Sequence, residues 1–245
     1  MMADSPLSRK RSGMEIIMKI IKAGYDILTK ISSGGIEELK FIEQAARVCY
    51  KSEGLITEDG ASAVRIVGKL IERGHEAMLE HSQLTVKFIV DRGVSHELVR
   101  HRIASFAQES TRYCNYSREK HGSQIQVIDP AAGIRLDMAM KDLPGDSIER
   151  ILEEWEKAME DAERHYMEMI RLGASPQMAR TVLPNSTKTE LIFTANYREW
   201  RNFFRLRADK PAHPQMREVC VPLLKELKER LPVIFDDIEA WEEER

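Results

Sequence analysis

Stretches with the periodicity of strands and stretches with the periodicity of helices are mixed irregularly along this chain of 245 residues. Residues 84–90, LTVKFIV, alternate between apolar and polar side chains as a strand does, whereas apolar residues from Ile148 to Ile170 recur at helical spacing until Gly173. No regular series of strand–helix–strand units appears, and a doubly wound parallel sheet would need one. We therefore predict an α+β fold: a single mixed domain with a central, mostly antiparallel sheet and several helices, not a Rossmann fold.

Cap residues and helix breakers define the other predicted elements. The predicted strands are two short ones between Met18 and Ile31, then residues 124–129 and 187–196. One predicted helix begins at Ile36, and a second is capped by Ser62 and ends at Gly74. A third is capped by Ser95 and carries His96 to Ile103, and a short one begins at Ser175-Pro176 and ends at Pro184. Asn196 caps the next predicted helix, and the last one is kinked at Pro222. Residues 106–117, FAQESTRYCNYS, are polar and poorly periodic, so we interpret them as a long loop.

The composition is that of a globular protein with a packed core. Apolar residues make up 42% of the chain and charged residues 31%, and 37 Lys and Arg against 40 Asp and Glu give a net charge of −3. This excludes collagen-like, coiled-coil and disordered chains. No apolar run approaches the roughly 20 residues of a membrane-spanning helix. Cys49, Cys114 and Cys220 have no metal-binding spacing. We expect neither a membrane partner nor a metal site.

The first residues are expected to lie outside the folded domain. Residues 1–13 are polar and aperiodic, so we predict a disordered extension followed by one domain over residues 14–245. Glu15 and Lys19 interrupt the apolar stretch after the N-terminal basic cluster, so no signal-peptide core forms. We expect a cytoplasmic protein.

Arginines are concentrated in two segments although the net charge is acidic. The planar guanidinium group binds phosphate or carboxylate through two parallel hydrogen bonds, so these segments predict an anionic small-molecule ligand. For four of the basic residues a solvated helix face is the favoured interpretation instead; they are Arg118, Lys120, Arg201 and Arg205.

The triplet Arg100-His101-Arg102 is the most unusual part of the first segment. Successive residues of a helix diverge by about 100°, so the three side chains share a surface only where a helix ends or where partners approach from several sides. The residues that follow supply groups that orient a nucleotide base and its phosphate; they are Ser105, Gln108, Ser110 and Arg112. This segment has no glycine, and the chain has no P-loop or G-x-G-x-x-G motif, so a dinucleotide would bind outside a Rossmann fold.

The same triplet begins a resemblance to a known family. Arg100-His101-Arg102, seven residues and Ser110 resemble the signature of the flavin-dependent thymidylate synthases. Three more segments resemble family motifs and occur in family order: RGHEAMLEH (73–81), MARTVLP (178–184) and NYREWRNFFRLRAD (196–209). The likeness extends from about Met18 to Leu231, and the combination of motifs is highly specific.

The resemblance implies an enzyme that methylates dUMP to dTMP. In this family methylenetetrahydrofolate supplies the carbon, NADPH reduces FAD, and reduced FAD supplies a hydride to the uracil ring. The resemblance also implies a homotetramer with FAD sites at subunit boundaries, and it implies no nucleic-acid partner. Arg207 is the predicted catalytic residue, because fixed positive charge beside the uracil stabilises the negative charge that the ring must carry. No protein nucleophile is required.

Site residues are carried over by position in the motifs. The predicted FAD residues are His75, Ala77, Arg100, His101, Arg102, Ile103, Gln108, Asn196, Arg198 and Asn202. The predicted dUMP residues are Glu97, Leu98, Val99, Arg100, Gln108, Glu109, Ser110, Thr111, Arg112, Arg180 and Arg207. Two positions depart from the family pattern, since Ala77 replaces a hydroxyl residue and Glu97 places a carboxylate near an anionic substrate. We interpret Cys114 as structural because no histidine base adjoins it in the sequence.

Two functions of other classes compete with this one. Arginines interleaved with Tyr113, Tyr116, Phe203 and Phe204 are typical of a nucleic-acid-binding module, although the net charge opposes it. A metal-dependent phosphohydrolase would use His75, His81 and His101, but the six-residue spacing of the first two does not place them on one helix face.

Overall fold

The computed structural model describes residues 18–138 and 144–241. Within them the strands are β1 (Lys19–Ile21), β2 (Gly24–Ile27), β3 (Gln83–Asp91), β4 (Ala104–Gln108), β5 (Gln126–Ile128) and β6 (Lys188–Asn196). The α-helices are α1 (Ile36–Val48), α2 (Ala61–Glu72), α3 (Arg92–Leu98), α4 (Ala131–Met138), α5 (Ser147–Arg171), α6 (Pro176–Ala179), α7 (Tyr197–Arg207), α8 (Pro214–Arg230) and α9 (Pro232–Phe235). Short 3-10 helices cover Ser33–Gly35, Glu53–Leu55, Glu76–His81, Glu119–His121 and Arg180–Val182. The predicted extension over residues 1–13 lies outside the described residues, and none of the described helices has the length and apolar character of a membrane span.

The main sheet has four strands in the order β2-β3-β6-β4, and every neighbouring pair is antiparallel. Its centre is the pair β3–β6, which runs in register from Gln83 opposite Asn196 to Asp91 opposite Lys188. Strands β1 and β5 form a separate parallel pair. The prediction of a mixed α+β domain with a central antiparallel sheet is confirmed, and the order differs from that of a doubly wound fold.

One face of this sheet is buried because apolar residues alternate along its central strands. The inward residues of β3 are Leu84, Val86, Phe88 and Val90, and those of β6 are Leu191, Phe193 and Ala195. Apolar residues of α1, α2, α7 and α8 complete the same core. Phe193 and Trp200 stack with their ring centroids 4.6 Å apart, and Trp200 Nε1 donates to the Leu84 carbonyl oxygen at 2.9 Å. These contacts hold α7 against the centre of the sheet.

A second, smaller core lies under α5, the amphipathic helix predicted from residues 148–170. Met159 and Tyr166 of α5 pack there with Tyr116 and Val127. The Glu163 carboxylate accepts a hydrogen bond from the Ile125 backbone nitrogen at 2.7 Å, which joins the helix to the start of β5. The loop after β4 is therefore attached to the folded body of the protein.

Two predicted helix starts are wrong because another residue caps each helix. The Asp91 carboxylate accepts from the Val94 nitrogen at 2.6 Å, so α3 begins before Ser95, and it ends at Leu98 and not at Ile103. Ser62 lies inside α2, which follows Gly60, and the Ser62 hydroxyl donates to the buried Glu43 carboxylate at 2.8 Å. By contrast, the predicted cap at Asn196 is confirmed, since its side chain accepts from the Glu199 nitrogen at 2.9 Å.

The predicted loop over residues 106–117 is also partly wrong. Its first residues belong to β4, which pairs with β6 at one side of the sheet and turns Ala104, Phe106 and Gln108 inward.

Helix α4 has no counterpart among the predicted elements. Pro222 lies inside α8, which runs without interruption from Pro214 to Arg230.

Arg201 is the clearest correction to the predicted solvated helix faces. Its side chain is fully buried and binds both Asp237 carboxylate oxygens at 2.6 Å, Glu76 at 3.0 Å and the Ile234 carbonyl oxygen. A buried guanidinium is tolerated only when its donors are satisfied in this way. Arg118, Lys120 and Arg205 are exposed, as predicted.

We expect Phe193→Ala to lower the free energy of unfolding by about 3–5 kcal/mol, because it leaves a cavity between Trp200 and the sheet. Ile192→Ala is the matched control on the opposite face of the same strand and should change it by about 0.5 kcal/mol. Urea denaturation of both variants measures the difference. Equal losses would contradict the assignment of the two faces.

Candidate functional site

The site is built around the first turn of α7, which follows directly from the central strand β6. Asn196 ends the strand and caps the helix, so Glu199 lies at the third helical position. Arg207 closes the same helix eight residues later, about 12 Å along the axis. The strand and the aromatic core together fix where both side chains leave the helix.

His101 connects these two residues of α7. Its Nδ1 lies 2.8 Å from Glu199 Oε1, and its Nε2 lies 3.2 Å from Arg207 Nε. Arg207 also donates from Nη1 to the Glu97 carboxylate at 2.8 Å and from Nη2 to the Glu97 carbonyl oxygen at 3.3 Å. We refer to Glu199, His101, Arg207 and Glu97 as the polar chain.

The polar chain determines which nitrogen of His101 carries the proton. The Nε of arginine is always a donor, so His101 Nε2 must accept, and the proton then lies on Nδ1 and is donated to Glu199. Burial lowers the pKa of His101, the hydrogen bond and charge of Glu199 oppose this shift, and the Arg207 charge lowers the pKa further. The ring is 5% exposed and meets the Phe203 ring edge-on at 4.9 Å. His101 is therefore a neutral, fixed imidazole.

Arg207 retains donors that its protein partners do not use. A guanidinium group has five N–H bonds, and the contacts of the polar chain use three of them. The Arg207 side chain is 21% exposed, so the rest of the group is open to a ligand. The two remaining N–H bonds, one on each Nη nitrogen, can donate to a ligand.

The neighbours of His101 point outward. Helix α3 ends at Leu98, after which Arg100 and Arg102 are exposed on either side of the buried His101. Ile103 is 70% exposed, although it is a large apolar residue. The helix ends before the triplet, and the three side chains do not share one surface, since His101 is buried and its two neighbours are exposed.

The other predicted flavin residues lie along α7 and beside it. Arg198 and Asn202 are one turn apart on its exposed side, and Arg198 pairs with Glu80 at 2.5 Å. Glu80 belongs to the 3-10 helix Glu76–His81, so this contact brings α7 next to the segment of His75 and Ala77, both of which are exposed.

This set of side chains fits FAD. Exposed guanidinium groups at Arg100, Arg102 and Arg198 are suited to a diphosphate. The exposed apolar side chains of Ile103 and Leu206 are suited to a flavin ring.

The predicted dUMP residues divide into separate groups. Gln108 is held inside the fold, where its Nε2 donates to Ser95 at 2.9 Å and to Thr189 at 3.3 Å. Glu109 accepts from Lys188 Nζ at 3.1 Å and from the Tyr116 hydroxyl at 3.2 Å. Leu98 is buried under α3, whereas Val99 is 38% exposed.

Glu109 lines a cavity of about 670 Å³ on the outer side of the sheet, and Gln108 borders this cavity although its amide group is bonded on the inner side. Its other walls include Cys114, Lys120 and Lys188. The volume is within the range of small-molecule sites, roughly 300–1,000 Å³. Burial lowers the pKa of Lys188, but hydrogen bonds to Glu190 and Glu109 and the charges of both carboxylates raise it overall, so the cavity holds a lysine paired with two carboxylates.

Ser110, Thr111, Arg112 and Arg180 are not joined to Arg207. The Ser110 carbonyl oxygen closes a turn by accepting from the Cys114 nitrogen at 2.9 Å, and Thr111 is buried. Arg112 lies over the Tyr113 ring at 5.5 Å, and Arg180 is exposed on the 3-10 helix Arg180–Val182. In the described part of the chain no hydrogen bond or ion pair links these four residues to the polar chain. Within the described residues, hydrogen bonds and ion pairs therefore do not connect this group of predicted nucleotide residues to Arg207.

The histidines of the competing metal hypothesis do not come together. Both ring nitrogens of His101 are occupied by Glu199 and Arg207, whereas His75 and His81 are exposed. Across residues 18–138 and 144–241 no group of three His, Cys, Asp or Glu side chains is arranged to hold a metal ion.

Glu199 is the site residue that sequence reasoning missed. Asn196-x-x-Glu199 has the spacing of a capping box, in which the glutamate side chain would return to the start of its own helix. The carboxylate instead bonds to His101, which is 98 residues away in the chain. Lys188 and Tyr116 were also missed; Lys188 reaches Glu109 from 79 residues away, and Tyr116 reaches it from the loop after β4.

Comparison with known proteins places the chain in a family. The family model described as thymidylate synthase complementing protein matches residues 36–233. The chain is 34% identical to the flavin-dependent thymidylate synthase of Corynebacterium aurimucosum over 215 residues, covering 85% of this chain and 83% of that relative. It is 33% identical over 206 residues to the protein of that name from Mycobacterium sp. strain JLS, covering 82% and 80%.

The chain belongs to the flavin-dependent thymidylate synthases. The family predicted from four sequence motifs is thereby confirmed, and with it the assignment of the protein as an enzyme. In this flavin-dependent thymidylate synthase the motif residues Arg100 to Arg102 and Asn196 to Arg207 meet through the contact between His101 and Glu199.

Proposed function

We propose that this protein methylates dUMP to dTMP, with methylenetetrahydrofolate as the carbon donor and NADPH as the reductant of bound FAD. The observation that carries the proposal is the held guanidinium of Arg207, which is partly exposed and keeps two unused N–H donors. We further propose a cytoplasmic homotetramer with FAD at subunit boundaries. This arrangement is supported by the separation of the predicted nucleotide residues within one chain.

FAD would be held by the exposed residues around α7 and the triplet. Arg100, Arg102 and Arg198 would bind its diphosphate, and Asn202 would donate from the same side of α7. Bound FAD, once reduced by NADPH, would supply the hydride that formation of the methyl group on the uracil ring requires. The chain itself contributes binding, orientation and exclusion of water at this surface.

Arg207 would act on the uracil ring by fixed charge. Attack on the carbon donor requires negative charge to build up on the ring, and a guanidinium already in place stabilises that charge without having to reorganise. His101 and Glu97 hold two edges of the group, which is the preorganisation that this role needs. Glu97 binds Arg207, so its carboxylate would not have to face the anionic substrate directly.

The phosphate of dUMP would be bound by residues outside the polar chain. Ser110, Arg112 and Arg180 supply a hydroxyl and two guanidinium groups, and Arg112 and Arg180 are exposed. Gln108 and Glu109, at the adjoining cavity, would contact the base or sugar. These residues and Arg100 would reach one nucleotide from neighbouring subunits.

Neither Cys114 nor Ser110 is activated as a nucleophile. Burial and the Glu109 charge raise the pKa of Cys114, which keeps the thiol protonated and weakly reactive. The Ser110 hydroxyl accepts a long hydrogen bond of 3.3 Å from the Arg112 nitrogen. The fixed charge of Arg207 therefore carries the activation of the substrate.

Most of the aromatic residues that suggested a nucleic-acid-binding module are buried in the structure. Tyr116, Phe203 and Phe204 are buried in the two cores, and Tyr113 is the exposed member of the four aromatic residues that suggested it. Stacking on successive bases requires several exposed rings.

Absorption spectroscopy and NADPH oxidation test the proposed function directly. After loading with FAD and desalting, the protein should keep a visible flavin band. NADPH oxidation should increase when dUMP is added, and dTMP should form when methylenetetrahydrofolate is present. A protein that never retains flavin, or whose turnover ignores dUMP, would refute the proposal.

We expect Arg207→Ala to lower turnover by a factor of about 100 or more, the usual loss when a preorganised electrostatic group is removed. Most of the FAD should remain bound, because the proposed partner of Arg207 is the nucleotide. Arg205→Ala is the matched control, since Arg205 is an exposed arginine on the same helix that pairs with Glu76. Full turnover in the Arg207 variant would refute its catalytic role.

Cys114→Ala should keep turnover within about twofold of the wild-type value, because a protonated thiol with no base contributes little to rate. Steady-state dTMP formation measures the effect. Mass spectrometry of protein trapped during turnover provides the second readout. A covalent nucleotide adduct on Cys114 would overturn the mechanism without a nucleophile.

A further inference from the structure

Glu199 is a buried carboxylate to which the family motifs assign no role. The residue is 7% exposed, and its backbone nitrogen is already used by the Asn196 cap. Its side chain does not return to the start of the helix but bonds to His101, while Nδ2 of Asn202, one turn further along the same helix, contacts both carboxylate oxygens at 3.3 Å. A buried carboxylate costs free energy unless it is hydrogen-bonded, so its contacts indicate what it stabilises.

The contact selects one of the two neutral forms of His101. With the proton on Nδ1, Glu199 accepts it and Nε2 is a free acceptor for Arg207 Nε. With the proton on Nε2, two donors would face each other across 3.2 Å, and Glu199 would face a ring lone pair. The carboxylate therefore favours the only neutral form of the ring that can hold the arginine.

The imidazole also spans a distance that Glu199 cannot. Glu199 and Arg207 are eight residues apart on one helix, about 12 Å along its axis, and His101 bonds to both. Glu97 binds the Nη side of the guanidinium, and His101 binds the Nε side. With Glu97 alone the group could turn about that single edge, whereas two held edges fix its plane.

We propose that Glu199 is a positioning residue that fixes the tautomer of His101 and thereby orients the guanidinium of Arg207 toward the nucleotide. This inference rests on the proposed function, because it takes Arg207 to be the group that contacts dUMP. Glu199 itself contacts neither substrate nor cofactor.

Nitrogen-15 NMR of the imidazole rings tests the first step without any enzymatic assay. In FAD-loaded wild-type protein the His101 signals, assigned by their loss in His101→Gln, should show protonated Nδ1 and unprotonated Nε2. In Glu199→Ala they should move toward a mixture of both neutral tautomers. Wild-type signals with the proton on Nε2, or signals unchanged in the variant, would overturn the proposal.

Binding of dUMP to the FAD-loaded protein tests the second step. Loss of one charge-assisted hydrogen bond predicts that Glu199→Ala weakens binding roughly tenfold or more. Glu199→Gln keeps an oxygen that accepts from Nδ1 and should recover most of this loss. Asp237→Ala is the matched control, because it removes a carboxylate from the buried Arg201 on the same helix. It should lower stability and leave dUMP affinity unchanged.

A double-mutant cycle separates positioning from general destabilisation. Arg207→Lys keeps the positive charge but has no Nε to bond to His101. If Glu199 acts through Arg207, the double variant should lose less affinity than the product of the two single losses. Strictly multiplicative losses, or equal losses in Glu199→Ala and Asp237→Ala, would mean that Glu199 is only structural. Failure of the wild-type protein to bind dUMP would instead refute the proposed function.

Discussion

The stacking of Trp200 on Phe193 is the contact on which the rest of the structure depends. The rings are 4.6 Å apart, and the indole nitrogen donates to the Leu84 carbonyl oxygen, so one side chain joins α7 to both central strands. A buried indole with a bonded N–H fixes rotation as well as distance. Every other side chain of α7 then has a set direction. Glu199 and Arg207 leave the helix toward the connection between α3 and β4, where His101 lies.

Charge holds α7 as firmly as the aromatic core does. Arg201 is fully buried between Glu76 and Asp237 and ties the helix to the 3-10 helix Glu76–His81 and to the residues after α9. Removing one partner of such a pair is costly because the other charge stays buried. The helix that carries the proposed catalytic group is thus fixed from two sides.

Sequence reasoning succeeded where the determining contacts are local. The periodicity of β3, α5 and β6 and the cap at Asn196 depend on residues within a few positions, and these predictions are confirmed. Sequence reasoning failed where the local structure depends on a residue that is distant in the chain. Asp91 and Ser95 are both good caps, and α3 starts at the first because the Arg92 nitrogen donates to the carbonyl oxygens of Asn185 and Thr187. Strand β4 exists because β6, about 80 residues later, offers it a partner.

The same distinction applies to the site. The motifs located Arg100, His101 and Arg207 from resemblance, but no local pattern could reveal that Glu199 bonds to His101. The capping-box spacing suggested a different partner for that carboxylate. Arg201 looked like a surface residue because Asp237, which neutralises it, lies 36 residues further along the chain.

The charges of the polar chain suggest a division of roles among the arginines. The polar chain contains two carboxylates, Glu199 and Glu97, and one cation, Arg207. Because His101 is neutral, the polar chain as a whole carries negative charge. Such a group attracts a phosphate dianion poorly, whereas the exposed Arg100 and Arg102 have no carboxylate partner in the described part of the chain. Phosphates therefore suit the exposed arginines. The Glu97 carboxylate partly neutralises the charge of Arg207, and the guanidinium is held in one plane. Arg207 therefore suits a weakly acidic ring whose negative charge develops only during the reaction.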